Sequence, residues 1–369
     1  MKKVLFTATV DSHIMNFHIP YLKYFKENGY EVHVASNGTT DIPSTDFKYN
    51  VPFQRSPYKL ENIKAYRQLK KIINSNKYDT IHCHTPMGAA ITRLAAKKSR
   101  YNGTKVIYTA HGFHFFKGAA LKNWLLFYPI EKWLSRYTDE LITINKEDFE
   151  IAINSFNAAN VHLINGVGVN LEKFRKQNLE KRNQQRKEYG YPLEDYILIY
   201  VGELSYRKHQ DLLIKAVNYL KEEIPNLRLL IVGDGEKIEK YKLMADKLGV
   251  NGNVDFLGYR NDIEKLMMLS DVAVSSSRQE GLPLNIMEAM ATGLPLIVTN
   301  CRGNRDLVYD KENGYVIDIN DANGFSRAIH NLYAFKDICG KFSNKNIDLI
   351  DAYSLETIST QMSRIYKIK

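Results

Sequence analysis

The residues best suited to chemistry lie in Arg278-Gln-Glu-Gly-Leu-Pro-Leu-Asn-Ile-Met-Glu-Ala-Met-Ala-Thr-Gly293. Gly281 and Pro283 mark a tight loop that holds Glu280, and residues 284–291 suit about two turns of helix carrying Glu288. The apolar run just before, residues 271–277, reads as a buried strand ending in small hydroxylated residues. Strand, loop and helix in that order leave free N–H groups at the helix start, which favour an anion. Two carboxylates flanking such a place fit if they grip neutral hydroxyls while the backbone grips a phosphate. A nucleotide sugar offers both groups.

A second stretch, Tyr200-Val-Gly-Glu-Leu-Ser-Tyr-Arg-Lys-His209, ends a strand at Gly202 and sets Arg207 and Lys208 before the next helix. Cations at that position suit a diphosphate, although a solvated pair at a helix start has the same pattern. Leu230-Ile-Val-Gly-Asp-Gly235 adds a glycine loop of a kind common in α/β folds.

Strand and helix patterns alternate through both halves, which implies an α/β chain of two doubly wound parallel sheets with a cleft between them as the ligand site. The expected N-terminal domain is 1–175 and the expected C-terminal domain 176–354, with a last helix at about 355–369 packing back on the first. The turn-rich segment Asn165-Gly-Val-Gly-Val-Asn170 and the polar run 178–188 read as a hinge region. In the first half, residues 17–28 read as a helix and 121–137 as a helix interrupted by Pro129.

Of 369 residues, 51 are Lys or Arg and 41 Asp or Glu, giving a net charge of +10. All of that excess falls in residues 1–175, with 24 basic and 14 acidic side chains. That asymmetry suggests an anionic partner for that half, either a membrane surface or a phosphorylated acceptor, with a merely soluble basic surface as the alternative. Nucleic acid is disfavoured as a partner, because the chain has no zinc finger, RNP motif or basic zipper. Cys83, Cys301 and Cys339 lack metal-like spacing and are odd in number, which fits a reducing cytoplasm. The early apolar run is broken by Asp11 and His13 without a cleavage site, and no run reaches membrane-spanning length. Abundant Lys, Asn, Ile and Tyr fit a bacterial source.

The order of Val-Gly-x5-Lys, Ile-Val-Gly-Asp-Gly, Phe-Leu-Gly-Tyr and Glu-Gly-Leu-Pro-x4-Glu resembles glycosyltransferase family 4 over most of residues 196–335. The resemblance implies retaining enzymes of the GT-B fold, two Rossmann-like domains facing a central cleft. It assigns Glu280 to donor-sugar hydroxyls, Glu288 to the ribose hydroxyls and Lys208 to the diphosphate. Gly202, Gly281 and Leu282 fall where the phosphates approach, and Tyr259 and Arg260 in the segment that meets the base. Where the family usually has arginine, directly after the glycine matching Gly202, this chain has Glu203. Arg207 then becomes the candidate replacement cation.

In the first half, Thr109-Ala-His-Gly112 resembles the family's sugar-contacting histidine segment, so His111 is the site candidate there. The family's Gly-Gly loop is replaced by Asp11-Ser-His-Ile-Met-Asn-Phe17, where Ser12 or His13 lines the same place or a plain turn stands instead. His82 and His84 share a strand face, but no carboxylate is spaced to complete a metal site. Trp124, Leu125, Phe127, Tyr128 and Trp133 mixed with Lys122, Lys132 and Arg136 suit either a membrane interface or a core stripe.

The reaction implied is transfer of a sugar, with retention, from a nucleoside-diphosphate sugar (UDP favoured) to a glycan or polyprenyl-linked acceptor in bacterial capsule or exopolysaccharide assembly. The implied enzyme is of hexosyl or N-acetylhexosaminyl type, cytoplasmic and peripheral on the inner membrane face. No cofactor or metal is expected, and Lys208, Arg207, Glu280 and His111 are the catalytic candidates, with domain closure bringing His111 to the donor. The alternatives are a GT-B sugar-nucleotide epimerase and a non-catalytic nucleotide-sugar-binding subunit. A nucleotide kinase is disfavoured because no Gly-x4-Gly-Lys-[Ser/Thr] loop exists.

Overall fold

Apolar, β-branched runs bounded by helices build two separate parallel sheets, seen in a computed structural model that describes residues 1–367. The first unit comprises Met1–Asn165 and the chain from Ser359 onward; the second is Gly166–Ile358. Unit 1 contains β1 (Lys3–Val10), β2 (Glu31–Asn37), β3 (Phe47–Asn50), β4 (Thr80–His84), β5 (Lys105–Ala110), β6 (Glu140–Thr143) and β7 (Asn160–Leu163). Their order is β3-β2-β1-β4-β5-β6-β7. Unit 2 contains β8 (Tyr196–Val201), β9 (Leu227–Val232), β10 (Val254–Gly258), β11 (Val272–Ser275), β12 (Leu296–Thr299) and β13 (Gly314–Ile317), ordered β10-β9-β8-β11-β12-β13. In each sheet the order reverses beside the first strand, between β1 and β4 and between β8 and β11. Central strands such as β4 and β8 are buried on both faces, as helix-covered parallel strands must be.

The boundary falls at Asn165/Gly166 rather than at 175/176, because Val169 and Phe174 pack into the core of unit 2 with Ile197 and Leu230. At the far end, helix Leu355–Tyr366 starts in unit 2 and finishes in unit 1. Tyr366 sits 4.7 Å ring to ring from Phe25 and shares a 3.0 Å hydrogen bond with His82 Nδ1. The final positions of the expected 355–369 span, 368–369, lie outside the described residues.

Three local readings are corrected. Residues 11–17 form a helix, Asp11–Phe17, not a turn, and Ile19–Glu27 is a separate helix after His18. The buried Asp11 that begins it is held by Ser36 Oγ at 2.6 Å, Thr40 N at 2.9 Å and Lys48 Nζ at 2.9 Å. Pro129 does not interrupt helix Leu121–Ser135; its missing N–H falls opposite the carbonyl of Leu125, a solvent-exposed residue. The polar run 178–188 is no hinge but most of helix Leu179–Tyr189, capped by the Asn178 side chain and ended by Gly190 at φ +74°. Arg186 on that helix is buried, donating to Asp271 at 2.7 Å and to the carbonyls of Leu269, Leu193 and Asp195.

Candidate functional site

In unit 2 the loops after β8 and β11 lie side by side where the strand order reverses, the position at which open α/β sheets bind ligands. The loops are tied together by Arg278 N donating to Arg207 O at 2.8 Å and Ser276 Oγ donating to Lys208 O at 2.9 Å. Two glycines permit close backbone approach. A Cβ on Gly233, at φ +137°, would lie 2.1 Å from Gly202 O, and one on Gly303, at φ +82°, 2.4 Å from Gly281 O.

Glu280 is 6% exposed, and Lys208 Nζ donates to its Oε1 at 2.5 Å. Ser277 Oγ donates to the same oxygen at 2.6 Å, while Arg207 Nη1 lies 3.7 Å from Oε2. Burial works to raise this carboxyl's pKa, but the charges of Lys208 and Arg207 and the two hydrogen bonds outweigh it and hold the group ionised. Arg207 also lies 3.8 Å from Glu203, so the reversed charge at Glu203 draws on the same guanidinium. Backbone support comes from Arg302 Nε, which donates to Glu280 O at 3.0 Å. Ser277 and Arg302 had no separate signal in the sequence beyond their place beside the glutamate loop.

Glu288 lies on helix Leu284–Thr292, which begins after Pro283 and ends at Gly293 at φ +75°. Its apolar face, Ile286, Met287, Ala289 and Met290, packs into the unit 2 core and leaves Glu288 half-buried. Burial pushes its carboxyl up to about 8, with Lys173 pulling down and Glu264 adding to the rise. The group is therefore mostly protonated at neutral pH. Gly281 and Leu282 sit between the two glutamates, both half-buried.

Tyr259 and Arg260 follow β10 at the edge of the sheet, apart from the Lys208–Glu280 pair. Tyr259 is 79% exposed, whereas Arg260 is engaged by Asp262 through contacts of 2.9 and 2.5 Å. Both side chains are exposed, the guanidinium while paired with Asp262.

In unit 1, His111 follows β5 and does not stand alone. Its Nε2 lies 3.3 Å from His13 Nε2, and His18 and His84 lie beside both. Burial, with like-charge repulsion among the rings, holds His18, His84 and His111 well below the usual histidine range. Burial together with the charge of Arg55 lowers His13 to about 4. His82 is occupied by Tyr366 and by Thr109 Oγ1 at 2.8 Å. A cavity of 420 Å³ adjoins His13, lined by Ser12, Asn16, Arg55, Thr85 and His114 among others.

Two family models match the chain: "Glycosyl transferase 4-like" over residues 3–145 and "Glycosyl transferases group 1" over residues 181–348. EpsD of Bacillus subtilis (strain 168), assigned as a glycosyltransferase, is 46% identical over 366 residues, covering 99% of this chain and 96% of that protein. The UDP-Gal:alpha-D-GlcNAc-diphosphoundecaprenol alpha-1,3-galactosyltransferase of Escherichia coli is 33% identical over 277 residues, covering 73% of this chain and 70% of that one. Among solved structures, Anabaena HepE in complex with UDP and glucose superposes with a TM-score of 0.82 at 18% identity, over the whole of both chains. The ordered motifs, the paired parallel sheets and these matches agree: the chain belongs to the family 4, group 1 glycosyltransferases of the GT-B fold.

Proposed function

We propose that this glycosyltransferase moves a hexosyl or N-acetylhexosaminyl group from a UDP-sugar to a lipid-linked or polymeric glycan acceptor of bacterial surface polysaccharide, with retention. The observation that carries the reading is the convergence of Lys208 and Arg207 on the buried Glu280, beside the Gly281–Leu282 backbone. Lys208 and Arg207 take the charge of the departing diphosphate, and Glu280 orients the sugar hydroxyls rather than attacking carbon. Glu288 takes the ribose hydroxyls, and the exposed ring of Tyr259 stacks on the base. The E. coli relative supports a UDP-linked donor and a polyprenyl-diphosphate acceptor by its name, and the HepE complex supports UDP.

The acceptor class is further supported by the basic unit. With the boundary of the structure, unit 1 has 25 basic and 13 acidic side chains, a net +12, against a net −2 in unit 2. Helix Leu121–Ser135 turns Trp124, Phe127 and Tyr128 toward its core and exposes Leu121, Leu125, Leu126, Ile130 and Trp133. Lys122 and Lys132 are exposed on the same helix. Apolar side chains bordered by cations suit an anionic bilayer surface, where a polyprenyl-linked acceptor resides. Among the described residues no helix is long and apolar enough to cross a membrane.

A thermal-shift panel of UDP-, GDP- and ADP-sugars, followed by mass spectrometry of products formed on extracted lipid-linked acceptors, tests the reading. We expect stabilisation by a UDP-sugar and a mass gain of one glycosyl residue. Failure of every nucleotide sugar to raise the melting temperature at saturation would overturn the donor assignment.

A further inference from the structure

The reversal of strand order in unit 1 gathers four imidazoles from three segments distant in sequence. His13 lies on helix Asp11–Phe17 directly after β1, and His18 joins that helix to Ile19–Glu27. His84 is the last residue of β4, and His111 comes one position after β5. Because β4 lies between β1 and β5, the carboxyl ends of these three strands are neighbours. One ring nitrogen from each histidine lies within 4.8 Å of the others. The His18 and His84 rings stack at 3.6 Å between centroids, and those of His13 and His111 meet edge-on at 4.6 Å.

Aromatic stacking alone leaves this arrangement unexplained. His18 is 2% exposed and His84 fully buried, yet both nitrogens of both rings lack a hydrogen-bond partner among the described residues. A buried polar atom without a partner is a costly feature that native interiors seldom retain. The two rings lie against Phe6, Phe17, the Tyr21 ring and His82, and both His82 nitrogens are already taken by Tyr366 and Thr109. A metal ion satisfies these lone pairs together. Tetrahedral coordination at Zn–N distances of about 2.0–2.1 Å sets ligand nitrogens about 3.3 Å apart. The Nε2 atoms of His13 and His111 already stand at 3.3 Å and all four donor nitrogens lie within 4.8 Å of one another, while the stacked His18 and His84 rings, 3.6 Å between centroids, must splay apart to turn their lone pairs onto one ion.

We propose that His13, His18, His84 and His111 form a binding site for one borderline divalent transition metal, of the zinc or cobalt(II) class. An all-imidazole donor set selects such ions over magnesium or calcium, which require oxygen ligands. The 420 Å³ cavity bordered by His13 supplies an entry path from solvent. Once bound, the ion ties the segment after β1 to the ends of β4 and β5. This assignment gives the His111 side chain a different task from the sugar contact that the family resemblance implies. It does not depend on the identity of the donor or the acceptor.

The test uses full-length protein with any affinity tag removed, stripped with EDTA and dialysed, then titrated with Co2+. We expect saturation at one equivalent, with the intense visible d–d bands of a tetrahedral site, and displacement by one equivalent of Zn2+. His18→Gln and His84→Gln should each weaken Co2+ binding at least about 100-fold, judged on samples whose far-UV circular dichroism matches the parent. His330→Gln, an exposed histidine of unit 2, should leave the titration unchanged. Parent protein that takes up neither ion at micromolar concentration, shows only weak octahedral bands, or keeps its bands after His18→Gln/His84→Gln overturns the proposal.

Discussion

Lys208 and Glu280 neutralise one another at 2.5 Å, so in the donor complex proposed above a diphosphate would have to draw Lys208 partly away from its carboxylate. Removing the lysine leaves buried Glu280 with the Ser277 hydroxyl and, as countercharge, only the more distant Arg207, and on the proposed role takes the nearest cation from the leaving group. We expect Lys208→Ala to lower kcat about 10²–10³-fold, a cost of about 2.7–4 kcal/mol in transition-state stabilisation. A Lys208→Ala enzyme within threefold of the parent would sink that role. Glu288 yields a pH prediction with a definite sign. Its pKa is raised to about 8, by burial first and by Glu264 next, with Lys173 opposing. On the proposed role ribose hydroxyls donate to the carboxylate form, so donor binding is linked to loss of the proton below pH 8. Affinity for UDP-glucose should therefore rise with pH from 6.5 toward 8, by at most about tenfold per unit, and then level off. Calorimetric titrations in buffers of different ionisation enthalpy should detect the released proton. A flat affinity over this range, or a flat profile kept by Glu288→Gln and parent alike, counts against the ribose role.

At the scale of elements, legibility depended on whether chemistry and periodicity were local. The strand–loop–helix unit around Glu280 and Glu288 was readable because its β-branched run, its Gly-Leu-Pro loop and its helix follow without a gap. The helix Leu179–Tyr189 was not, because few of its residues are apolar and its anchor is a buried arginine whose partners lie up to 85 positions away. The helix Lys336–Ile350 is equally hard to read from the sequence, since its buried face is only Phe342, Asn346 and Ile350. The histidine cluster was hidden for a related reason: the four rings meet only through strand order, which spacing along the chain does not reveal. The Arg186 anchor carries a stability prediction. Breaking a buried ion pair by removing one partner typically costs about 3–5 kcal/mol, so Arg186→Ala should lower the unfolding free energy of unit 2 by about that amount. A change below 1 kcal/mol in urea titration would show that helix Leu179–Tyr189 is held by other contacts. For helix Leu121–Ser135, neutralising Lys122 or Lys132 should weaken binding to anionic vesicles about fivefold each, close to 1 kcal/mol per cation near a charged bilayer. Neutral phosphatidylcholine vesicles should show no such dependence. Anionic-vesicle binding indifferent to both substitutions and to salt would remove the electrostatic argument.

For the whole molecule, the last helix decides how far the two units fold independently. The second unit is one continuous stretch, Gly166–Ile358, but the first is closed by a segment made at the opposite end of the chain. Met362, Ile365 and Tyr366 are buried in that segment, and Tyr366 meets Tyr21, Tyr24 and Phe25 as well as His82. Lys105 Nζ adds a 2.5 Å hydrogen bond to Ile365 O. Unit 1 therefore completes its core only after unit 2 has been synthesised, and mutations here should be felt selectively. Deleting a large buried aromatic ring costs about 3–5 kcal/mol, and Tyr366→Ala also strips His82 of one hydrogen-bond partner. We expect Tyr366→Ala to speed hydrogen exchange in β1, β4 and the helix Ile19–Glu27 while β8, β9 and β11 keep the parent's protection. Tyr366→Phe, which keeps the ring and loses the hydroxyl, should lie close to the parent, about 1 kcal/mol below it. Equal loss of protection in both sheets would mean that the units unfold as one cooperative body, and that the returning helix transmits stability rather than confining it to the sheet it completes.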